Sequence, residues 1–149
     1  MTDFTGKTGL IVGVANKRSI AWAIAQATAS RGARLILTYQ GRFEENVQEL
    51  SEGLPSPPLV LPCDVSSDDD ITAVFARADQ EFGGLDFVVH GAAFARKEEL
   101  SEPFVNTSRE GFRLAMDISV DPPLIIREGP VTYESLAEFF NGRLRRRVA

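Results

Sequence analysis

The chain has 149 residues, 44% of them hydrophobic and 25% charged, with a net charge of −5. These figures suit one globular domain able to bury about two thirds of its unfolded surface, and the acidic balance argues against nonspecific nucleic-acid binding. No apolar run is long enough to span a bilayer, Met1-Thr2-Asp3-Phe4 lacks the basic and apolar regions of a signal peptide, and the single Cys63 cannot form an internal disulfide, so no membrane partner and a cytoplasmic location are expected.

Gly6-Lys7-Thr8 has the look of the end of a P-loop, but Met1 stands where the leading glycine is needed, and the strand follows rather than precedes it. It reads as a turn into a first strand over residues 8–13, apolar on both faces as buried parallel strands are. Five residues after Gly13, Ser19 is positioned to cap a helix in which Ile20, Ile24, Ala27 and Thr28 recur at helical spacing. Gly32 marks its end, and 33–39, with Leu35-Ile36-Leu37, is a second buried strand.

A helix over 42–50 presents Phe43, Val47 and Leu50 on one face, and Gly53, Pro55, Pro57 and Pro58 lead into a third strand at Leu59-Val60-Leu61. A helix capped at Ser66 or Ser67 follows, with Ile71, Val74, Phe75 and Ala78 on its buried stripe. Gly83-Gly84 ends it, and 85–90 forms a fourth buried strand.

Strands alternating with helices of this length imply right-handed crossovers and a doubly wound parallel α/β sheet, Rossmann-like and partial, in the order 3-2-1-4. A ligand then lies beyond the strand C-termini at the reversal between strands 1 and 4, where Gly13 and Gly91 sit. The strand–turn–helix around Gly13 aims backbone N–H groups and a positive helix end at a phosphate, which predicts a dinucleotide site. Gln40, with Arg42 nearby, stands where an Asp or Glu would meet the adenosine ribose. Asp64-Val65 has the groups to hold an adenine edge, with capping of the next helix as the plainer role for Asp64. His90, the only histidine, reads as a structural strand-end residue, and with no second His or Cys there is no metal site of the usual kind.

Gly13 with Ser19-Ile20-Ala21, Thr38-Tyr39-Gln40, Cys63-Asp64-Val65 and His90-Gly91-Ala92-Ala93-Phe94-Ala95, taken in this order and spacing, resemble bacterial enoyl-acyl-carrier-protein reductases, a divergent branch of the short-chain dehydrogenases. The likeness continues through 105–112 to Asp117-Ile118-Ser119. The resemblance implies hydride transfer from NADH to the β-carbon of a trans-2-enoyl thioester carried on acyl carrier protein, in fatty-acid synthesis, by a homotetramer. It implies cofactor contacts at Gly13, Ser19, Ile20, Gln40, Asp64, Val65 and Ala92, an acyl contact at Ala95, and NADH in preference to NADPH through Gln40.

The likeness stops near residue 120, dividing the chain into a nucleotide-binding half, 1–119, and a divergent tail, 120–149. Pro122-Pro123 breaks the long helix that the family places there. The family's Tyr-x6-Lys pair has no counterpart: the lysines are Lys7, Lys17 and Lys97, and Tyr39 and Tyr133 are followed seven residues on by Asn46 and Phe140. No catalytic residue is therefore assigned. The expectation is a truncated, frame-altered or degraded reductase with impaired turnover, or an inactive NAD-binding module. Strand 4 is expected as an exposed edge, with Ile125-Ile126 as a candidate pairing segment and Arg143, Arg145, Arg146 and Arg147 as a solvated basic end.

Overall fold

A computed structural model of the chain describes residues 3–120. Four parallel strands form its sheet: β1 (Thr8–Val12), β2 (Arg34–Tyr39), β3 (Leu59–Pro62) and β4 (Phe87–His90), in the order β3-β2-β1-β4. Leu10 lies opposite Ile36 and Val88, and Ile11 opposite Leu37 and Val89. Every residue of β1 is buried, because apolar side chains on both faces find helices to pack against. Ile11, Leu35, Leu37 and Tyr39 meet α1 (Ile20–Ala29) and Val47 of α2 (Glu44–Ser51). On the other face Leu10, Val12 and Ile36 meet Ile71, Val74 and Ala78 of α3 (Asp68–Phe82). The doubly wound order expected from the alternation of elements is the one observed.

The element ends differ from the sequence pattern where local geometry intervenes. The first strand stops at Val12 rather than 13, since Gly13 turns the chain at φ +82°. Arg42 and Phe43 belong to a 3-10 turn, Gly41–Phe43, before α2 begins. The cap of α3 is Ser67, whose hydroxyl accepts from the Asp70 N–H. The β4 ladder starts only at Phe87.

The buried stripe of α1 is rotated from the expected one. Ala21, Trp22, Ala25, Thr28 and Ala29 face the core, whereas Ile20 is 80% exposed and Ala27 is exposed. Small alanines let the helix axis approach the sheet, and the large Trp22 ring fills the space that remains.

Strand β4 is only half buried, with Val88 51% exposed, in contrast to the buried strand expected. Among the described residues it pairs on one side alone, with β1. Beyond it lie α4 (Lys97–Ser101), a 3-10 turn (Phe104–Asn106) and α5 (Arg109–Ser119). Ser108 caps α5 by accepting from the Gly111 N–H, and Glu99 accepts from both the Ser108 N–H and its hydroxyl. The expected Ile125-Ile126 strand and the arginine-rich end, with the rest of the tail beyond residue 120, lie outside the described residues.

At the foot of the sheet Asp86 joins β4 to β1. Its carboxylate accepts from Lys7 Nζ at 2.8 Å and from the Thr8 N–H at 2.8 Å. The Lys7 hydrogen bond first, then the Thr8 N–H, hold its carboxyl below the ordinary value of 3.8. A carboxylate depressed in the folded state contributes stability that is present above 3.8 and lost as pH falls through the folded-state value. Asp86→Asn is expected to lower the melting temperature at pH 7 and to match the unsubstituted chain at the acid end. An offset that stays constant with pH would reject this linkage.

Candidate functional site

A crevice of about 470 Å³ opens over the carboxyl ends of the strands, where the order reverses between β1 and β4. Gly13, Ser19, Gln40, Asp64, Val65 and Ala92 all line it. Residues 13, 40, 64 and 92, scattered in sequence, are brought together because each stands just beyond a strand end, and Ser19 joins them as the cap of α1. Ile20 and Ala95 are not among its lining residues. Ile20 turns outward from the first position of α1, and Ala95 lies three residues past Ala92 on the way to α4.

The loop from Gly13 to Ser19 is fixed by its own hydrogen bonds. Gly13 N–H donates to Thr38 Oγ1 at 3.2 Å and Val14 N–H to the Thr38 carbonyl at 2.9 Å, tying the loop to the end of β2. Asn16 Oδ1 accepts from the Arg18 N–H at 2.8 Å, and the Asn16 carbonyl accepts from Ser19 N–H and Oγ. Ser19 Oγ in turn accepts from the Trp22 N–H, so Ser19 is the helix cap expected, a role worth about 1 kcal/mol. The positive end of α1 thus stands over a preformed turn, an arrangement suited to an anion such as a pyrophosphate.

Gly13 is also a point of close approach. A Cβ there would meet the Ala92 backbone N at 2.6 Å and Cα at 2.7 Å. The small lining residues Ala15, Ala92 and Ala93 allow a ligand to approach the backbone closely.

At the other end Asp64 is held on both carboxylate oxygens. Oδ1 accepts from the Ser66 N–H at 2.9 Å and from Ser66 Oγ at 2.6 Å, while Oδ2 accepts from Gln40 Nε2 at 3.0 Å. The Ser66 hydroxyl, the Ser66 N–H and then Gln40 keep the Asp64 carboxyl below its ordinary value, so it is an ionised acceptor at neutral pH. Capping is not its role, since Ser67 caps α3. Its backbone N–H donates to Asp70 Oδ2 at 2.8 Å, which sets the strand-end geometry. Burial, followed by the charges of Asp70 and Asp64, pushes the neighbouring Cys63 thiol up to about 11, so it stays protonated and is no nucleophile at neutral pH.

Val14, Phe43, Phe94 and Ile118 also line the crevice and were not among the site residues read from the sequence. Val14 is 1% exposed and Phe43 belongs to the 3-10 turn, so both come to the crevice only through backbone turns. Phe94 and Ile118 form the far wall. Two contacts place them: Phe94 N–H donates to Ser119 Oγ at 3.2 Å, and His90 Nε2 lies 3.0 Å from the Ile118 carbonyl. His90 is thus partnered at the strand end, though exposed rather than buried. Among the described residues no cluster of three or more His, Cys, Asp or Glu could hold a metal ion, and no helix is long and apolar enough to cross a membrane.

A family model described as Enoyl-(Acyl carrier protein) reductase matches residues 13–125. The chain belongs to this family. Among curated relatives, the NADH-named enoyl-[acyl-carrier-protein] reductase FabI of Bacillus cereus is 51% identical over 116 residues, covering 76% of this chain and 45% of the relative. The crystal structure of the Bacillus cereus enoyl-acyl carrier protein reductase with NADP+ and indole naphthyridinone has a TM-score of 0.74 at 49% identity, over 79% of this chain and 47% of that one. The Anaplasma phagocytophilum reductase in complex with NAD has a TM-score of 0.72 at 42% identity, over 78% of this chain and 46% of that one. The chain therefore spans about half the length of the reductases it matches. The resemblance read from the motifs is a family relationship, and the family match runs on to residue 125.

Proposed function

We propose that this chain holds the adenosine and pyrophosphate of NADH in the crevice and serves the reduction of trans-2-enoyl thioesters carried on acyl carrier protein. The observation that carries the reading is the convergence of Gly13, Ser19, Gln40, Asp64, Val65 and Ala92 on one crevice at the β1/β4 reversal. The absence of a Cβ at Gly13 lets the loop after β1 lie directly against Ala92, which brings the two strand ends of the crevice together. The Gly13–Ser19 turn and the start of α1 would hold the pyrophosphate, and Ala92 would leave room for the adjoining ribose. Asp64 and the Val65 backbone would take the adenine edge. Gln40 replaces the acidic ribose ligand of many NAD sites, and the resemblance to the reductases implies that it favours NADH over NADPH. NADH, when bound, supplies the hydride.

Ile20 and Ala95 belong to this reading as residues at the crevice rim, Ile20 beside the cofactor and Ala95 towards the acyl chain. A cytoplasmic setting completes it. The boundary between the nucleotide-binding half and the divergent tail is placed at 119/120. The 149-residue sequence has no Tyr-x6-Lys pair to stabilise the enolate and hold the ribose. One lost oxyanion donor costs a factor of about 10² to 10³ in rate, so we expect cofactor binding with turnover suppressed by at least that much.

The test is a titration of the chain with NADH, beside NADPH, together with NADH oxidation followed in crotonyl thioester. Saturable NADH binding with turnover at least about a hundredfold below ordinary enzyme rates is expected. Rates in the ordinary range would overturn the impairment, and a folded chain that binds neither dinucleotide would overturn the site.

A further inference from the structure

At the β2 and β3 ends, hydrogen bonds donated by Ser66 and by Gln40 converge on the Asp64 carboxylate on the wall of the crevice. Ser66 occupies one carboxylate oxygen twice, through its N–H at 2.9 Å and its hydroxyl at 2.6 Å. That fixes the plane of the carboxylate and leaves Oδ2 shared only with the Gln40 amide, at 3.0 Å. All three residues line the crevice.

We propose that Ser66 is a positioning residue for base selectivity: by anchoring Asp64 Oδ1, it presents Oδ2 as a fixed, donor-seeking acceptor that admits a 6-aminopurine and rejects a 6-oxopurine. The inference rests on the nucleotide reading above. An ionised carboxylate accepts only, so it attracts an exocyclic amino group and repels a carbonyl oxygen at the same place. Gln40 Nε2 keeps Oδ2 satisfied until the amino group arrives, which spares the free chain an unpaired acceptor. Loss of the hydroxyl leaves one N–H on Oδ1 and frees the carboxylate to rotate about its Cβ bond, blurring the direction of Oδ2.

Reduced nicotinamide hypoxanthine dinucleotide differs from NADH in carrying a 6-oxo group and a protonated N1, and both are titrated against the whole chain and its variants, the Ser66 dependence of the ratio reading the Asp64 contribution. The unsubstituted chain is expected to prefer NADH by about tenfold or more, the worth of one charge-assisted hydrogen bond. Ser66→Ala is expected to lower that preference to about threefold, mainly by weakening NADH, and Ser66→Thr to restore it. Asp64→Asn, whose amide donates to a 6-oxo group, is expected to abolish or invert the preference. A general loss of fold would weaken both dinucleotides together and leave the ratio unmoved. Equal binding of the two dinucleotides by the unsubstituted chain, or full discrimination in folded Ser66→Ala, overturns the proposal while leaving nucleotide binding intact. Binding of neither overturns it along with the nucleotide reading.

Discussion

Gly13→Ala is expected to cost about 3 kcal/mol of stability and to remove detectable dinucleotide binding. Two separate terms add at this position. The backbone sits at φ +82°, in the left-handed region, where a Cβ costs about 1–2 kcal/mol. The added carbon would also lie 2.6 Å from the Ala92 N and 2.7 Å from its Cα, both backbone atoms that cannot rotate away. Relief requires β1 and the loop after β4 to separate, and overpacking of that kind costs about 1–3 kcal/mol. The separation takes place in the floor of the crevice, so the functional loss exceeds what destabilisation alone produces. Urea unfolding monitored by circular dichroism, with NADH titration under native conditions, reads both effects. Gly53→Ala is the matched control, since its nearest neighbour would be the Leu50 carbonyl at 3.4 Å. Equal midpoints for the two variants would refute the close-approach argument.

Trp22→Ala is expected to be the more damaging of the two to stability, at about 3–5 kcal/mol, the usual range for deleting a large buried aromatic. The ring is 5% exposed and lies in the core cluster with Ile11, Leu35, Leu37 and Tyr39. Its neighbours on the helix are alanines, which are too small to move into the vacated space. The substitution therefore undocks the helix whose first turn carries Ser19, coupling core packing to the geometry of the loop. Trp22→Phe, which keeps most of the volume, is expected to lose less than half as much. Because Trp22 is the only tryptophan, the comparison is made by circular dichroism rather than fluorescence. A Trp22→Ala chain that unfolds at the original denaturant concentration would show that α1 is held by something other than this ring.

These two positions mark different degrees of legibility. Gly13 was readable because an apolar run, a glycine and a capping serine in that order form a local signal whose geometry depends on few other residues. Trp22 was not placed in the core by periodicity. Ile20, Ile24, Ala27 and Thr28 and the observed set of Ala21, Trp22, Ala25, Thr28 and Ala29 both satisfy helical spacing. In a helix so rich in alanine the hydrophobic contrast between faces is small, and only contact with β1 and β2 selects one. The same holds for His90: its position at a strand end was legible, while its carbonyl partner comes from Ile118, 28 residues on.

The Ser66–Asp64–Gln40 cluster lies between these cases. Asp64 and Gln40 were both candidates from their places after strands, but their contact spans 24 residues of sequence and depends on β2 and β3 being neighbours in the sheet. Ser66 had only a capping role in the pattern, and Ser67 takes that role instead.

The sequence by itself determined the alternation of strands and helices, the parallel order 3-2-1-4, the turn at Gly13 and the membership of the reductase family. Each of these follows from short-range patterns of apolarity, glycine and capping residues, or from motifs whose order and spacing survive in one dimension. The tertiary structure alone decided which face of α1 is buried, that Gly13 lies against Ala92, and that Asp64 bonds to Gln40 and Ser66 rather than capping α3. Those outcomes depend on the packing of elements remote in sequence, where steric fit and hydrogen-bond geometry choose among arrangements that the local pattern leaves equal.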